Sequence, residues 1–237
     1  GGAFSPFGDI TTLMVWQRGF VSFFDFFNIF LPSVVNYVIP AAIIYFAIPN
    51  EVPKGDGKKV IVQPGGNVIA ILGILTISIT VAGHQVLHMP PVFGMMFGLG
   101  MLGTYGYFLK TRYPGKNKFD IFELTGKAEW DTLLFFYGIL VCVGGLAAVG
   151  YLKLISDDMY VTLGATYANI LVGFLSAIID NIPIVYAVLT AHPSMDMGQW
   201  LLITLTAGVG GSLLSIGSAA GVALMGQARG VYTFFAH

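Results

Sequence analysis

Gly210-Gly211-Ser212-Leu213-Leu214-Ser215-Ile216-Gly217-Ser218, near the end of the chain, repeats the pattern of Gly1-Gly2-Ala3-Phe4-Ser5-Pro6-Phe7-Gly8-Asp9 at its start. Aligned without a gap, each reads Gly-Gly, five residues, Gly, then a short oxygen-bearing side chain. In a chain this apolar, Gly- and hydroxyl-rich stretches predict interrupted membrane helices around a small-ion or small-solute site. Paired interruptions in corresponding positions of two halves point to a transporter's binding site. The expected helix-breaking residues are Gly1, Gly2, Gly8, Gly210, Gly211 and Gly217.

Composition sets the solvent. Of the 237 residues, 56 % are hydrophobic and 10 % charged, against roughly 25 % charged in soluble domains. The chain therefore reads as an integral membrane protein, with the lipid bilayer as a partner. No basic patch interleaved with aromatics supports nucleic-acid binding. Cys142, the one cysteine, cannot form an internal disulfide and reads as a small buried hydrophobe. No Ser-His-Asp set, metalloprotease motif or phosphate loop is visible, and no cofactor is expected. The chain begins without Met, inside a motif, and stops just after a helix would emerge from the bilayer. One complete repeat and the tail of another predict part of a longer protein.

Apolar runs near the 17–25 residues needed to cross a bilayer fall at Ser33–Ile48, Val68–Gly83, Pro91–Leu109 and Trp130–Leu152. Phe-rich Val21–Leu31 and Phe119–Trp130 suit helices lying at the interface. Val161–Ile179 is interrupted by Asp180-Asn181-Ile182-Pro183 and resumes at Ile184–Leu189. A re-entrant hairpin explains these short arms, because non-helical backbone at that depth must be buried in protein or line a wet cavity. Trp200–Ala207 and Ile216–Met225 read as half-helices flanking the second break. The expected organisation is residues 1–20, the broken helix of the first repeat; 21–49, its interfacial helix and last span; 66–160, scaffold spans of the second repeat; and 161–237, the transport part of that repeat.

Loop charge tests this topology. Placing Asn50–Gly66 on one side puts nine of the eleven Lys and Arg residues there, leaving Arg18 and Lys153 opposite. That asymmetry makes the rich side cytoplasmic. The two Gly-Gly breaks then lie on antiparallel helices, as an inverted repeat requires.

A broken helix offers carbonyls to cations at one half's end and N–H groups to anions at the other half's start. Asp9 begins the resumed half-helix of the first break, with Thr11 and Thr12 one turn in. Ser218 holds the aligned place in the second, with Ser212 and Ser215 inside the break. Asp9 is also a good N-cap, a role compatible with cation binding. Asp180 is expensive to bury, and an ionisable residue inside a membrane is a functional hypothesis by default. It could bind Na⁺ or take a proton, while Asn181 offers a neutral oxygen. The competing reading makes Asp-Asn-Ile-Pro an ordinary turn. Asn169, Thr166 and Ser176 either line the cavity or hydrogen-bond neighbouring backbone. His84 and His88 suit an interface better than a metal.

Gly1–Trp16 closely resembles the first broken-helix motif of NhaD-type sodium:proton antiporters. Ser176–Pro183 and Gly210–Gly221 resemble their second hairpin and second broken helix. The resemblance covers essentially the whole chain and implies the ion transporter superfamily, which includes dicarboxylate and arsenite carriers. It implies an all-α membrane protein, an inverted-repeat transporter with a re-entrant hairpin and discontinuous helices, here partial. Carried over residue by residue, the implied ion-site set is Asp9, Thr11, Asp180, Asn181, Ser215 and Ser218, with Na⁺ at Asp9 and Asp180. The family's first hairpin and its helix after Gly230 have no counterpart here, so this stretch alone is expected not to transport.

The expected function is exchange of Na⁺ or Li⁺ for H⁺ across a bacterial inner membrane by a multi-pass secondary transporter. A homodimer through scaffold helices would suit the family. A Na⁺-coupled anion carrier of the same architecture is the first alternative, disfavoured because no Arg or Lys lies in the interrupted segments. A non-transporting membrane module or a membrane enzyme is the second. It predicts a polar cluster at one interface instead of two mirrored breaks.

Overall fold

The structure is a computed structural model that describes residues 2–47, 65–113, 126 and 130–214. The expected residues Gly1, Ser215, Gly217 and Ser218, the half-helix Ile216–Met225, most of Asn50–Gly66 and most of Phe119–Trp130 lie outside the described residues. Among the described residues the regular structure is entirely helical. The chain is an all-α, multi-pass membrane protein. Phe23–Phe46, Gly66–Leu87, Pro91–Arg112 and Tyr151–Ile178 are each long and apolar enough to cross a membrane.

Two compact units form, residues 1–48 with 131–237, and residues 49–130. In the second unit, α3 (Gly66–Leu87) and α4 (Pro91–Arg112) make a helical hairpin. Gly94 and Gly98, four residues apart, press against Thr80 and Thr76. Small residues at such a seam let membrane helices approach closely. The threonine hydroxyls donate back to Leu72 and Thr76 carbonyls at 2.8 and 2.7 Å, so no hydroxyl is left unpaired at this contact. His84 Nδ1 donates to the Met89 carbonyl at 3.0 Å and helps close the turn.

In the first unit, α1 (Ile10–Gln17) follows a folded loop. A short 3₁₀ helix, Phe23–Ile29, occupies the Phe-rich segment and runs straight into α2 (Phe30–Ala47). Then come α5 (Trp130–Ala148), α6 (Tyr151–Ile178), α7 (Asn181–Ala191) and α8 (Met197–Gly210). Cys142 is exposed on α5, contrary to the expected buried thiol. Hydrophobicity alone does not separate a core face from a lipid face in such a helix.

Leu152–Tyr160, which the expected runs Trp130–Leu152 and Val161–Ile179 leave as a connection, is the first half of α6. Gly150, at φ 87°, ends the preceding connection and lets α6 begin there. A second non-helical residue, Gly164 (φ 74°, ψ 158°), divides α6 into residues 151–163 and 165–178. The latter segment and α7 form a hairpin about Ile179-Asp180. At 1.5 Å per residue the 11-residue α7 is roughly 17 Å long, about half the hydrocarbon core.

The core gathers where α6, α7 and α8 pack together and α1 touches α7 and α8. Val172, Val185, Leu189, Ile203 and Ala207 are buried there, with Val15 and Trp16 from α1. Aromatic rings fasten the loops to it. Phe20 stacks on Trp200 at 4.0 Å, and Trp16 meets Phe7 and Phe23 edge-on at 5.8 Å each.

Candidate functional site

Residues 2–8 form a compact loop closed by bonds from Ser5 N to the Gly2 carbonyl (3.1 Å) and from Gly8 N to the Ser5 carbonyl (2.9 Å). Gly2 and Gly8 lie backbone against backbone, where a Cβ on either would collide with the other. The Gly-to-Gly spacing thus records a loop that closes on itself. Asp9 follows in extended conformation and caps α1. Its Oδ1 accepts from Thr11 N at 2.9 Å and from Thr11 Oγ1 at 3.0 Å. Thr11 and Thr12 are fully buried, and Thr12 Oγ1 donates to the Ala3 carbonyl at 3.4 Å.

Asp180 repeats this arrangement at the hairpin tip. It caps α7, Oδ1 accepting from Ile182 N at 3.0 Å. Pro183 fits the first turn of α7, where its missing N–H has no intrahelical partner to serve. Both acidic residues are half-buried, and the helices they start, α1 and α7, are in contact.

The third component is the end of α8. Its regular structure stops at Gly210, with Gly211 as C-cap, and Ser212 and Leu213 turn back onto Val209 and Gly210 carbonyls. The helix therefore terminates at the Gly-Gly pair. Gly208 lies beside the Asp9 carboxylate; a Cβ there would stand 3.3 Å from Oδ2.

These parts enclose a cavity of about 860 Å³. Its wall combines Gly2, Ala3, Gly8 and Asp9; Asn181 from α7; Leu205, Gly208, Val209, Ser212 and Leu213; and, from α2, Ser33, Asn36, Tyr37, Pro40, Ala41, Ile44 and Tyr45. Asp9 and Asn181 share the cavity, whereas Asp180 stands just behind Asn181, off the lining. Chemically the wall offers one carboxylate and several neutral oxygens. Among the described residues no Lys, Arg or His lines it. Among the described residues no cluster of three His, Cys, Asp or Glu could hold a metal ion.

Asn169, Thr166 and Ser176 are not on this wall. They tie α6 to α8. Fully buried Asn169 accepts from Tyr160 OH at 2.8 Å, and its Nδ2 donates to the Gln199 carbonyl at 3.0 Å and Oε1 at 3.1 Å. Gln199 Nε2 donates to Thr166 Oγ1 at 2.9 Å, and Ser176 Oγ to the Ala207 carbonyl at 2.9 Å. Sequence reasoning missed Gln199 and the α2 face. Ser33, Asn36, Tyr37 and Pro40 recur at i, i+3, i+4 and i+7, a helical stripe that could have revealed it.

An all-α membrane protein whose capped and terminated short helices wall a cavity of this size belongs among membrane transporters. Residues 1–208 match the CitMHS family, described as citrate transporter, and the chain belongs to that family. It is 53 % identical to the Na(+)/H(+) antiporter NhaD of Vibrio parahaemolyticus, over the whole chain and 63 % of that protein. It is 54 % identical to the Na(+)/H(+) antiporter NhaD of Alkalimonas amylolytica, over the whole chain and 54 % of that protein. Sodium/proton antiporter 1 of Arabidopsis thaliana is 34 % identical over 97 % of the chain and 42 % of its own length. The chain thus spans between about half and two thirds of these bacterial relatives' length. No solved structure matches the chain significantly.

Proposed function

We propose that the whole protein to which this chain belongs exchanges Na⁺ or Li⁺ for H⁺ across a bacterial inner membrane, as a secondary transporter and not an enzyme. The observation that carries this reading is the pair Asp9 and Asp180, each capping one of two contacting short helices, with Asp9 beside Gly208 at the end of α8. The names of its relatives support the same chemistry. A carboxylate on a cavity wall that shows no basic group among the described residues attracts a cation, and Asp9 and Asp180 can each hold either the ion or a proton.

In this mechanism Asp9 and Asp180 bind Na⁺ and H⁺ in competition, with neutral oxygens from Thr11 and Asn181, and from Ser215 and Ser218 of the second break. The helix-start dipoles are offset by their acidic caps, so that the net field of the pocket stays cation-attracting. The hairpin of residues 165–191 re-enters the membrane on one side. Residues 1–20 and 161–237 carry the ions, 21–49 complete the first repeat, and 66–160 are scaffold, through which two copies would associate. No cofactor is needed, since one ion gradient drives the other.

The family's citrate-transporter description favours a second reading, a Na⁺-coupled anion carrier, since two helix starts converge near the cavity and helix starts attract anions. Inverted vesicles carrying the full-length protein separate the two. Exchange predicts that NaCl dissipates a proton gradient in the absence of any organic anion and that Asp180→Asn abolishes the response. Wild-type-like exchange in Asp180→Asn removes that residue from the mechanism. A response that requires citrate or another carboxylate favours the anion carrier.

A further inference from the structure

We propose that Asn36, through its side-chain amide and the main-chain carbonyl that Pro40 leaves without its usual helical donor, forms a second, neutral oxygen site for a monovalent cation on the α2 wall of the cavity. The inference rests on the cation reading above and adds a station to it.

Three observations meet at this point. Asn36 and Pro40 both line the 860 Å³ cavity that also contains Asp9. Pro40 sits inside α2, and proline has no N–H to give to the carbonyl four residues back. That carbonyl belongs to Asn36. The same residue therefore brings two oxygens to the wall, the side-chain amide oxygen and a main-chain carbonyl without its usual helical donor.

The surroundings say which way these groups are used. Ser33, one turn earlier, spends its hydroxyl on the Ile29 carbonyl at 2.7 Å. Asn36 has no such bond among the described residues. It also borders a smaller cavity of about 290 Å³, walled largely by Ile170, Phe174, Leu205 and Leu213. That side offers an amide little to bind, and Asn36, an exposed residue, is open to whatever fills the larger cavity. The larger cavity, which also holds the Asp9 carboxylate, is where its oxygen finds a partner. With no Lys, Arg or His on the wall among the described residues, a cation entering here meets no like charge from them.

Neutral carbonyl oxygens can replace part of an alkali cation's hydration shell, and passage requires sites weak enough to be left. An ion displaced from Asp9 by a proton would have Asn36 as its next ligand.

The test uses the full-length protein, reconstituted for Na⁺-driven proton movement and, purified, for equilibrium binding of radiolabelled Na⁺. Asn36→Ala should raise the half-saturating Na⁺ about fivefold, the equivalent of one neutral hydrogen bond, while the maximal rate stays within about twofold. Pro40→Ala returns an N–H to the Asn36 carbonyl and should fold at least as well, so it keeps the test valid where Asn36→Ala misfolds. It too should weaken Na⁺ dependence, whereas a merely structural proline would leave that dependence untouched. Unchanged half-saturation in both variants overturns the site. A protein that binds Na⁺ but drives no proton movement removes the exchange reading alone; weaker Na⁺ binding by both variants then still supports the oxygen site, and equal binding overturns it. Absence of Na⁺ binding to the unsubstituted protein removes both.

Discussion

Gly210, the last residue of α8, lies backbone to backbone against Gly173 on α6, so that a Cβ on Gly210 would run into the Gly173 carbonyl. The contact fixes where α8 stops relative to the hairpin, and hence where the cavity's third wall ends. Gly210→Ala must push the helices apart, an overpacking cost of about 1–3 kcal/mol. Gly145→Ala on α5, where a Cβ meets nothing within 4 Å, should be neutral or slightly stabilising. Thermal unfolding of the full-length protein, followed by tryptophan fluorescence, compares the two. Equal midpoints would show that the seam is not close-packed.

Asn169 links the two halves of α6 to α8 through Tyr160 and Gln199. Tyr160→Phe removes one donor and leaves the Asn169 oxygen with a vacant lone pair. Such bonds between membrane helices average about 0.6 kcal/mol and reach about 1.7. A double-mutant cycle of Tyr160→Phe with Asn169→Ala, read by thermal unfolding, should return a coupling in that range. Additive effects would mean that the two side chains act separately.

Much of this architecture could be read in the chain, and the parts that could not share a physical cause. Apolar runs located α2, α3, α4 and α5 to within a few residues, since a bilayer demands length and hydrophobicity and little else. The Gly-Gly pair at 210–211 falls at the end of α8, where glycine in a contact with another backbone leaves a compositional trace. Leu152–Tyr160 misled for the opposite reason. Its charges resemble a loop's, yet a helix projecting beyond the apolar layer carries charges without ceasing to be a helix. Asn169 and Asn36 are alike in the sequence, each a polar residue within an apolar run. Only packing separates the buried tie from the cavity wall, and packing partners come from α8 and the 2–9 loop, distant in sequence.

Gly164 carries a different kind of constraint. A Cβ there would meet nothing within 4 Å, so space is not the issue. Its φ of 74° with ψ of 158° belongs to a region that is essentially glycine-only and costs other residues about 1–3 kcal/mol. Gly164→Ala should therefore lower the unfolding midpoint despite the open surroundings and the better helix propensity of alanine. A raised midpoint would show that α6 prefers to run straight through, without the kink that sets off the hairpin.

Asp9 combines two roles that one pair of substitutions separates. Its Oδ1 accepts two bonds from Thr11, and asparagine presents a comparable acceptor while being an equally good N-cap. Asp9→Asn should therefore fold with a stability change below about 0.5 kcal/mol, whereas Asp9→Ala loses the cap at a cost of about 1 kcal/mol. Transport should not follow stability. Both variants lack the charge that holds Na⁺ or a proton, so both should lose Na⁺-driven proton movement in vesicles, the well-folded one as completely as the other. If Asp9→Asn keeps the exchange while Asp9→Ala loses it, then Asp9 serves α1 as a cap and the ion is held by charge elsewhere, with Asp180 the remaining carboxylate beside the cavity.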